Sequence, residues 1–255
     1  MPKPTPGGPR AGEPARAHAL AALRQAILSG DVAPGQRLVE EELAGVFGVT
    51  RQSLRAALLD LTAEGLVERI PNRGARVRVV STDEAVAITE CRMALEMLCA
   101  AKAAQRITDE EATGLRELGA QLKRAVAAAD PVKYSELNRE LHRRVGAISG
   151  QAVAVGLLER LRAQLVRHQF QLAQRPGRPD QSLPEHLAII DTVAGRRPAD
   201  AATAINRHLN SVIEALRAVG ETSADHEISG MSDAAAAAPD IPENQQVARS
   251  VITSD

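Results

Sequence analysis

A chain of 255 residues with 44% hydrophobic and 25% charged side chains can fill two modest cores, which excludes a disordered protein and a disulfide-stapled miniprotein. With 1% aromatic residues and no Trp, those cores must come from Ala, Leu, Val and Ile, the composition of helices packed closely through small side chains. The formal charge of −1 is unevenly laid out: residues 1–80 carry +3, residues 81–220 carry +2 and residues 221–255 carry −6, a mildly basic body followed by an acidic tail.

The Pro- and Gly-rich opening predicts a disordered tail over 1–13, followed by a first domain over 14–80. Its prolines stand where a signal peptide needs an apolar run, and no stretch of the chain approaches the roughly 18 apolar residues of a membrane span, so the expected location is cytoplasmic, with no membrane partner. Ala19, Leu20, Leu23, Ile27 and Leu28 recur with a helical period that Gly30 ends. A short helix from about Val39 to Phe47 and a turn at Gly48-Val49 follow, then a third helix capped by Thr50 with Leu54, Leu58 and Leu61 on one face. After Gly65 the period changes to two, with Val67, Val77 and Val79 flanking the turn Pro71-Asn72-Arg73-Gly74, which predicts a β-hairpin.

Three helices and a hairpin in this order make a winged helix-turn-helix, whose last helix enters the major groove of double-stranded DNA by its N-terminal end. Here that end reads Thr50-Arg51-Gln52-Ser53-Leu54-Arg55. Arg51 and Arg55 lie one turn apart, a spacing that suits one base contact and one phosphate contact, and Thr50, Gln52 and Ser53 are the residue types that fix register on the backbone. Arg73 and Gly74 at the hairpin tip, with Arg76 and Arg78 on its polar face, are expected along an adjacent groove. Any one of these arginines alone reads as a solvated surface charge; the set in this order favours DNA.

From Ser81 long helical periods take over, and 81–220 is expected to be an antiparallel bundle of six helices at about 82–106, 108–129, 131–148, 151–174, 184–195 and 198–219. The fold class is thus mainly α. Ser81-x-x-Glu84 and Thr108-x-x-Glu111 read as capping boxes, Asp130-Pro131 and Arg197-Pro198 as helix entries, and Gln174 to Ser182 as a Pro/Gly loop. Cys91 and Cys99 sit eight apart without a CxxC partner and read as core thiols in a reducing interior. Residues 221–255 have no sustained apolar period and are expected to form a disordered acidic tail.

The bundle carries polar residues that its apolar pattern does not require. Asn138 and His142 share one helix face, His186 opens the fifth helix and His208 lies in the sixth. Three imidazoles and a carboxamide from three helices suit a divalent transition metal such as zinc, nickel or manganese, whereas each His taken singly reads as a satisfied core residue. Arg92 has two readings, an i,i+4 pair with Glu96 or a guanidinium that clamps a carboxylate. Arg167 and His168 are weaker candidates for the same pocket.

These residues resemble the GntR transcriptional regulators, in the FadR-type group with an FCD effector domain. The resemblance rests on Ile27-Leu-Ser-Gly-Asp-Val-Ala-Pro-Gly-Gln-Arg-Leu38, Gly48-Val-Thr-Arg51, Leu54-Arg55, Leu61-Thr-Ala-Glu-Gly-Leu-Val67 and Pro71-Asn-Arg-Gly-Ala-Arg-Val77 in the first domain. In the bundle it rests on Arg92-Met-Ala-Leu-Glu96, Leu137-Asn-Arg-Glu-Leu-His142, Glu185-His186 and Arg207-His-Leu209. It implies a homodimeric repressor that reads an inverted repeat and responds to a small carboxylate-bearing effector. By position it implies DNA contacts at Thr50, Arg51, Ser53, Arg55, Arg73 and Gly74, a metal at Asn138, His142, His186 and His208, and a pocket arginine at Arg92. Six bundle helices look like the shorter VanR-like subgroup. The chain departs from the family pattern at Arg55-Ala-Ala-Leu58 in place of Arg-Glu-Ala-Leu, at Gln52-Ser53 in place of Thr-Pro, and at Asn138, where an Asp is common.

Two other readings stand against this one. A metal-dependent enzyme on the histidine cluster lacks a general base in the HExxH relation, and Glu185 is expected to point elsewhere on its helix. An architectural DNA-binding protein without an effector leaves the polar cluster unexplained.

Overall fold

The computed structural model describes residues 11–71, 74–173 and 175–236. Helix α1 (Gly12–Ser29) buries Ala15, Ala19, Leu23, Ala26 and Ile27, the stripe its period requires, and ends at Gly30, whose φ of 85° lets its N–H close on the Ile27 carbonyl. Strand β1 (Arg37–Leu38), α2 (Glu40–Phe47) and α3 (Arg51–Ala63) follow. Thr50 caps α3, its side chain accepting from the Ser53 N–H. Helix α1 packs on α3, and Arg16 grips Asp60 through two bonds of 2.7 and 2.6 Å while Arg24 pairs with Glu64. These forks tie the two helices at their rim around a core of Leu23, Phe47, Leu54 and Leu61.

The wing is β2 (Val67–Ile70) and β3 (Gly74–Val77), antiparallel, with Val67 opposite Val77 and Ile70 opposite Gly74. The sheet order is β1-β3-β2. Strand β1 was not readable from the sequence, because two residues are too few for an alternating pattern to show. Val79 lies beyond β3 and is 48% exposed. Asn72 and Arg73, the hairpin tip expected at the DNA, lie outside the described residues.

The rest is helical: α4 (Thr82–Arg106), α5 (Asp109–Ala127), α6 (Pro131–Ser149), α7 (Ala152–Gln164), α8 (Val166–Ala173), α9 (Arg178–Ala194) and α10 (Pro198–Ala236). Leu115, Leu118, Leu122, Leu141, Ile189, Ile205 and Leu209 from α5, α6, α9 and α10 fill the core. The capping box at Thr108 is complete, and Asp130 caps α6 with Pro131 in its first turn. At Ser81 only half a box forms, because the Glu84 carboxylate turns to Arg78 instead of its own helix start.

Seven helices, not six, therefore follow the wing among the described residues, which removes the count that pointed to the shorter subgroup. The expected helix 151–174 is interrupted at Leu165, which is buried; no Gly or Pro marks the break. Helix α9 starts at Arg178 rather than 184: Gly177 at φ 75° turns the chain into it, and Pro184 sits inside the helix instead of opening it. Helix α10 continues to Ala236 where the sequence pattern ended at 219, although Thr222, Ser223, Ser229, Gly230 and Ser232 give that stretch little intrinsic helix propensity. Residues 237–255 and 1–10 lie outside the described residues. Cys99 is buried as expected, but Cys91 is exposed, on the outer face of α4.

The turn after α3 meets the end of α7. Gly65 has φ 74° and its Cα faces the Gln164 side chain so closely that a Cβ would lie 2.9 Å from Cδ. Gln164 donates to the Glu64 carbonyl (3.2 Å) and accepts from Arg78 (3.2 Å), and His168 Nε2 lies 2.9 Å from the Val80 carbonyl. The interruption at Leu165 thus lies where the bundle holds the winged domain.

Candidate metal centre and nucleic-acid interface

Helices α6, α9 and α10 bring His142, His186 and His208 together, with one nitrogen of each ring within 4.8 Å of the others. All three are buried, at 9%, 1% and 3% exposure. Each ring is held through Nδ1. His142 Nδ1 lies 2.7 Å from Glu96 Oε2, His208 Nδ1 lies 2.9 Å from Glu185 Oε2, and His186 Nδ1 lies 2.8 Å from the Tyr134 hydroxyl. Carboxylates accept, so His142 and His208 carry their protons on Nδ1. The same follows for His186 through two steps. Ser182 donates to the Arg178 carbonyl (3.0 Å), so Tyr134 donates to Ser182 (2.6 Å) and its oxygen accepts from His186.

Every Nε2 is then left as a lone pair. His186 Nε2 is buried without a hydrogen-bond partner, and so is Asn138 Oδ1 on α6, one turn before His142. Buried acceptors that converge without a donor are costly unless a cation supplies the missing positive charge. The residues fit a divalent transition metal: three imidazoles oriented from behind by two carboxylates and a phenol, with a buried, unpartnered carboxamide oxygen one turn before His142 on α6.

The surroundings tune these groups. Burial pushes His142 down to about 4 against the pull of Glu96, and burial together with His208, His142 and Arg178 holds His186 well below its ordinary value. Burial opposes ionisation of Glu96, yet His142, Arg162 and Arg92 together keep its carboxyl well below the carboxylate range. Burial pushes the Tyr134 hydroxyl up to about 12, so it stays a neutral hydrogen-bonding group.

Arg92 is buried and spends Nε and Nη2 on Glu96 Oε1, at 3.2 and 2.9 Å, which is the plainer of its two readings. Its place is behind the histidines, as a support for Glu96 that Arg162 shares at 3.0 Å. Glu185 faces His208, contrary to the expectation that it points elsewhere: on α9 it reaches His208 of α10, while the neighbouring His186 reaches Tyr134 of α6. The sequence reading also missed Tyr134, Ser182, Arg162 and Arg178. Arg178, 9% exposed, donates to Ser211 at 2.9 Å and stands 3.9 Å from Glu185. Only the helical spacing of Tyr134 to Asn138 and of Ser182 to Glu185 and His186 hints that these residues share the histidines' faces. Of the weaker candidates, His168 reaches the Val80 carbonyl rather than the histidines.

In the winged domain, Arg51, Gln52 and Arg55 are exposed at the start of α3. Thr50, also exposed, and Ser53 close the helix start: Thr50 Oγ1 accepts from the Ser53 N–H and lies 3.0 Å from its hydroxyl, and Ser53 is 6% exposed. Arg51 pairs with Glu41 and Arg55 with Glu40, both from the first turn of α2. Gly74, at φ 85°, opens β3. Arg76 pairs across the strands with Glu68, and Arg78 turns to Glu84 and Gln164, so Arg78 faces the bundle and not a groove of DNA.

The chain matches the family model of bacterial regulatory proteins of the gntR family over residues 15–77 and that of the FCD domain over 87–211. It is 27% identical over 203 residues to the HTH-type transcriptional repressor RspR of Escherichia coli, covering 80% of this chain and 89% of that one. It is 30% identical over 190 residues to the Nta operon transcriptional regulator of Aminobacter aminovorans, covering 72% and 88%. The fold is similar to that of E. coli McbR/YncC, with a TM-score of 0.67 at 19% identity over 81% of this chain and 98% of that one. Among the described residues no helix is long and apolar enough to cross a membrane. The chain belongs to the GntR family, in the FadR-type architecture that joins a winged helix-turn-helix to an FCD domain, and is a DNA-binding transcriptional regulator rather than an enzyme.

Proposed function

We propose that this regulator is a repressor that binds an inverted-repeat operator as a homodimer and whose DNA affinity is set by a small carboxylate effector at a metal site of Asn138, His142, His186 and His208. The observation that carries the reading is the set of converging lone pairs, with His186 Nε2 and Asn138 Oδ1 buried and unpartnered. A divalent zinc, nickel or manganese ion bound there supplies the charge that attracts a carboxylate. The protein adds to that field: Arg92, Arg162 and Arg178 surround the site against the two carboxylates Glu96 and Glu185, so the interior has a surplus of positive charge before any metal enters. Arg92 contributes through Glu96 rather than as a free fork. Asn138, being neutral, leaves more of the metal charge for the effector than an Asp at this position would.

The dimer reading is supported by Leu98 on α4 and by Val153 and Leu157 on α7, which are 43%, 80% and 40% exposed on two helices packed against each other. The names of RspR and of NanR from Cronobacter sakazakii as repressors support the sign of regulation. An effector acts by binding one arrangement of the dimer more tightly than the other, and DNA then alters effector affinity by the same factor. A native mass spectrum of gently purified protein tests this. The expected species is a dimer carrying a metal and an acidic small molecule; a monomer, or a dimer that takes up neither zinc, nickel nor manganese when supplied, refutes it.

A further inference from the structure

The recognition helix presents two exposed arginines, and they are held differently. Arg51 and its partner Glu41 have side chains that are 62% and 75% exposed, a pair that water loosens at both ends. Glu40, by contrast, is 24% exposed and grips Arg55 through three contacts: Nε to both carboxylate oxygens at 3.3 and 3.2 Å, and Nη2 to Oε2 at 2.8 Å. Each of these bonds uses the Nε–Nη2 side of the guanidinium. The Nη1–Nη2 end is the fork that matches the O6 and N7 acceptors of guanine, and Glu40 leaves that end facing outward.

The setting adds a second constraint. Glu40 and Arg55 share a groove with Arg69, Ile70, Pro71 and Gly74, between the start of α3 and the turn end of the wing. The carboxylate in contact with Arg55 offsets that arginine's own pull on phosphate, although Arg69 shares the groove, and so weights Arg55 toward a base edge rather than the DNA backbone. The Glu40 backbone lies in the first turn of α2, where the positive end of the helix dipole favours an acidic side chain.

We propose that Glu40 is a specificity-determining residue that positions Arg55 for direct reading of one base pair in each half-site. The proposal rests on the DNA-reading role of α3. A free arginine must be ordered by each sequence it meets and binds phosphate as readily as guanine. One that is held in advance loses less entropy at the right base and is denied the wrong contact.

The test is selection from a random 20-base-pair duplex library by the full-length protein and by Glu40→Gln, Glu40→Asp and Arg55→Lys variants, with thermal melts to establish equal folding. Arg55→Lys and Glu40→Gln are expected to lose preference at the same base position by about ten-fold, while Glu40→Gln binds a generic duplex more tightly at low salt. Glu40→Asp recovers part of the preference, which a merely structural role for Glu40 does not produce. Identical base preferences for Glu40→Gln and the natural protein overturn the proposal. So does Arg55→Lys with every preference intact, since Arg55 then reads no base. Failure of the natural protein to enrich any sequence instead overturns the DNA-reading role on which the proposal rests.

Discussion

Replacing Glu96 by Ala removes the one carboxylate that Arg92, Arg162 and His142 share. Glu96 and Arg92 have side chains 4% and 7% exposed, whereas Arg162 is 25% exposed and can recover part of its hydration. Breaking a buried pair so that a guanidinium stays behind costs about 3–5 kcal/mol, and the access of water to Arg162 places this case near the lower end. For a chain of this size about 3 kcal/mol corresponds to a fall of roughly 6–12 °C in the melting midpoint. The same change frees the Nδ1 side of His142, so zinc affinity should fall about 10- to 100-fold. Urea and thermal melts of the metal-free protein give the first quantity, and competition for zinc against a chelator gives the second. Glu96→Gln, which keeps the acceptor and loses the charge, should lie between and serves if the Ala variant does not fold. A midpoint lowered by less than about 2 °C together with unchanged zinc affinity refutes the account of Glu96 as the support of both the core charges and His142.

The pH dependence of the metal-free protein follows from the depressed histidines. His142 titrates at about 4 in the fold and at an ordinary 6.5 when unfolded, so between these values the unfolded chain binds more protons. Stability is therefore complete above pH 6.5 and is lost as the pH falls toward 4, with His186 extending the loss to lower pH. Urea midpoints measured from pH 8 to 4 check this, and a flat profile down to pH 5 contradicts it. Tyr134→Phe deletes the oxygen that accepts from His186 Nδ1, and zinc affinity should drop about ten-fold with roughly 1 kcal/mol lost in stability. Unchanged zinc affinity in that variant would show that Tyr134 does not set the His186 tautomer.

Much of this molecule is encoded locally. The stripe Ala19, Leu23, Ile27, the turn at Gly48, the cap at Thr50 and the alternation of Val67 and Val77 are short-range signals, and the helices and wing follow them. The order of those elements sufficed for the winged helix-turn-helix, and the positions of Asn138, His142, His186 and His208 sufficed to nominate a metal centre. Where long-range contact competes with local pattern, the sequence misleads. The helix over 151–174 is broken at Leu165 by burial and by the hold of Gln164 on the winged domain, with no breaker residue to announce it. Pro184, read as a helix start, is accommodated inside α9 because Gly177 turns the chain earlier.

The chemistry of the site divides in the same way. Residue types and spacing, with the family resemblance, offered Asn138, His142, His186 and His208 as candidate ligands, because which residues share a helix face is a local property. Which group stands behind each ligand depends on the packing of α4, α6, α7, α9 and α10, whose rotations about their own axes no periodicity records. That packing made Arg92 a support of Glu96 and brought Glu185 to His208 and Tyr134 to His186, and the packing of α2 on α3 likewise set Glu40 against Arg55. The sequence by itself determined that histidines and arginines occupy these helices; only the tertiary structure decided which of their nitrogens are spent within the protein and which are left for a ligand, because that choice is made by partners distant in the chain.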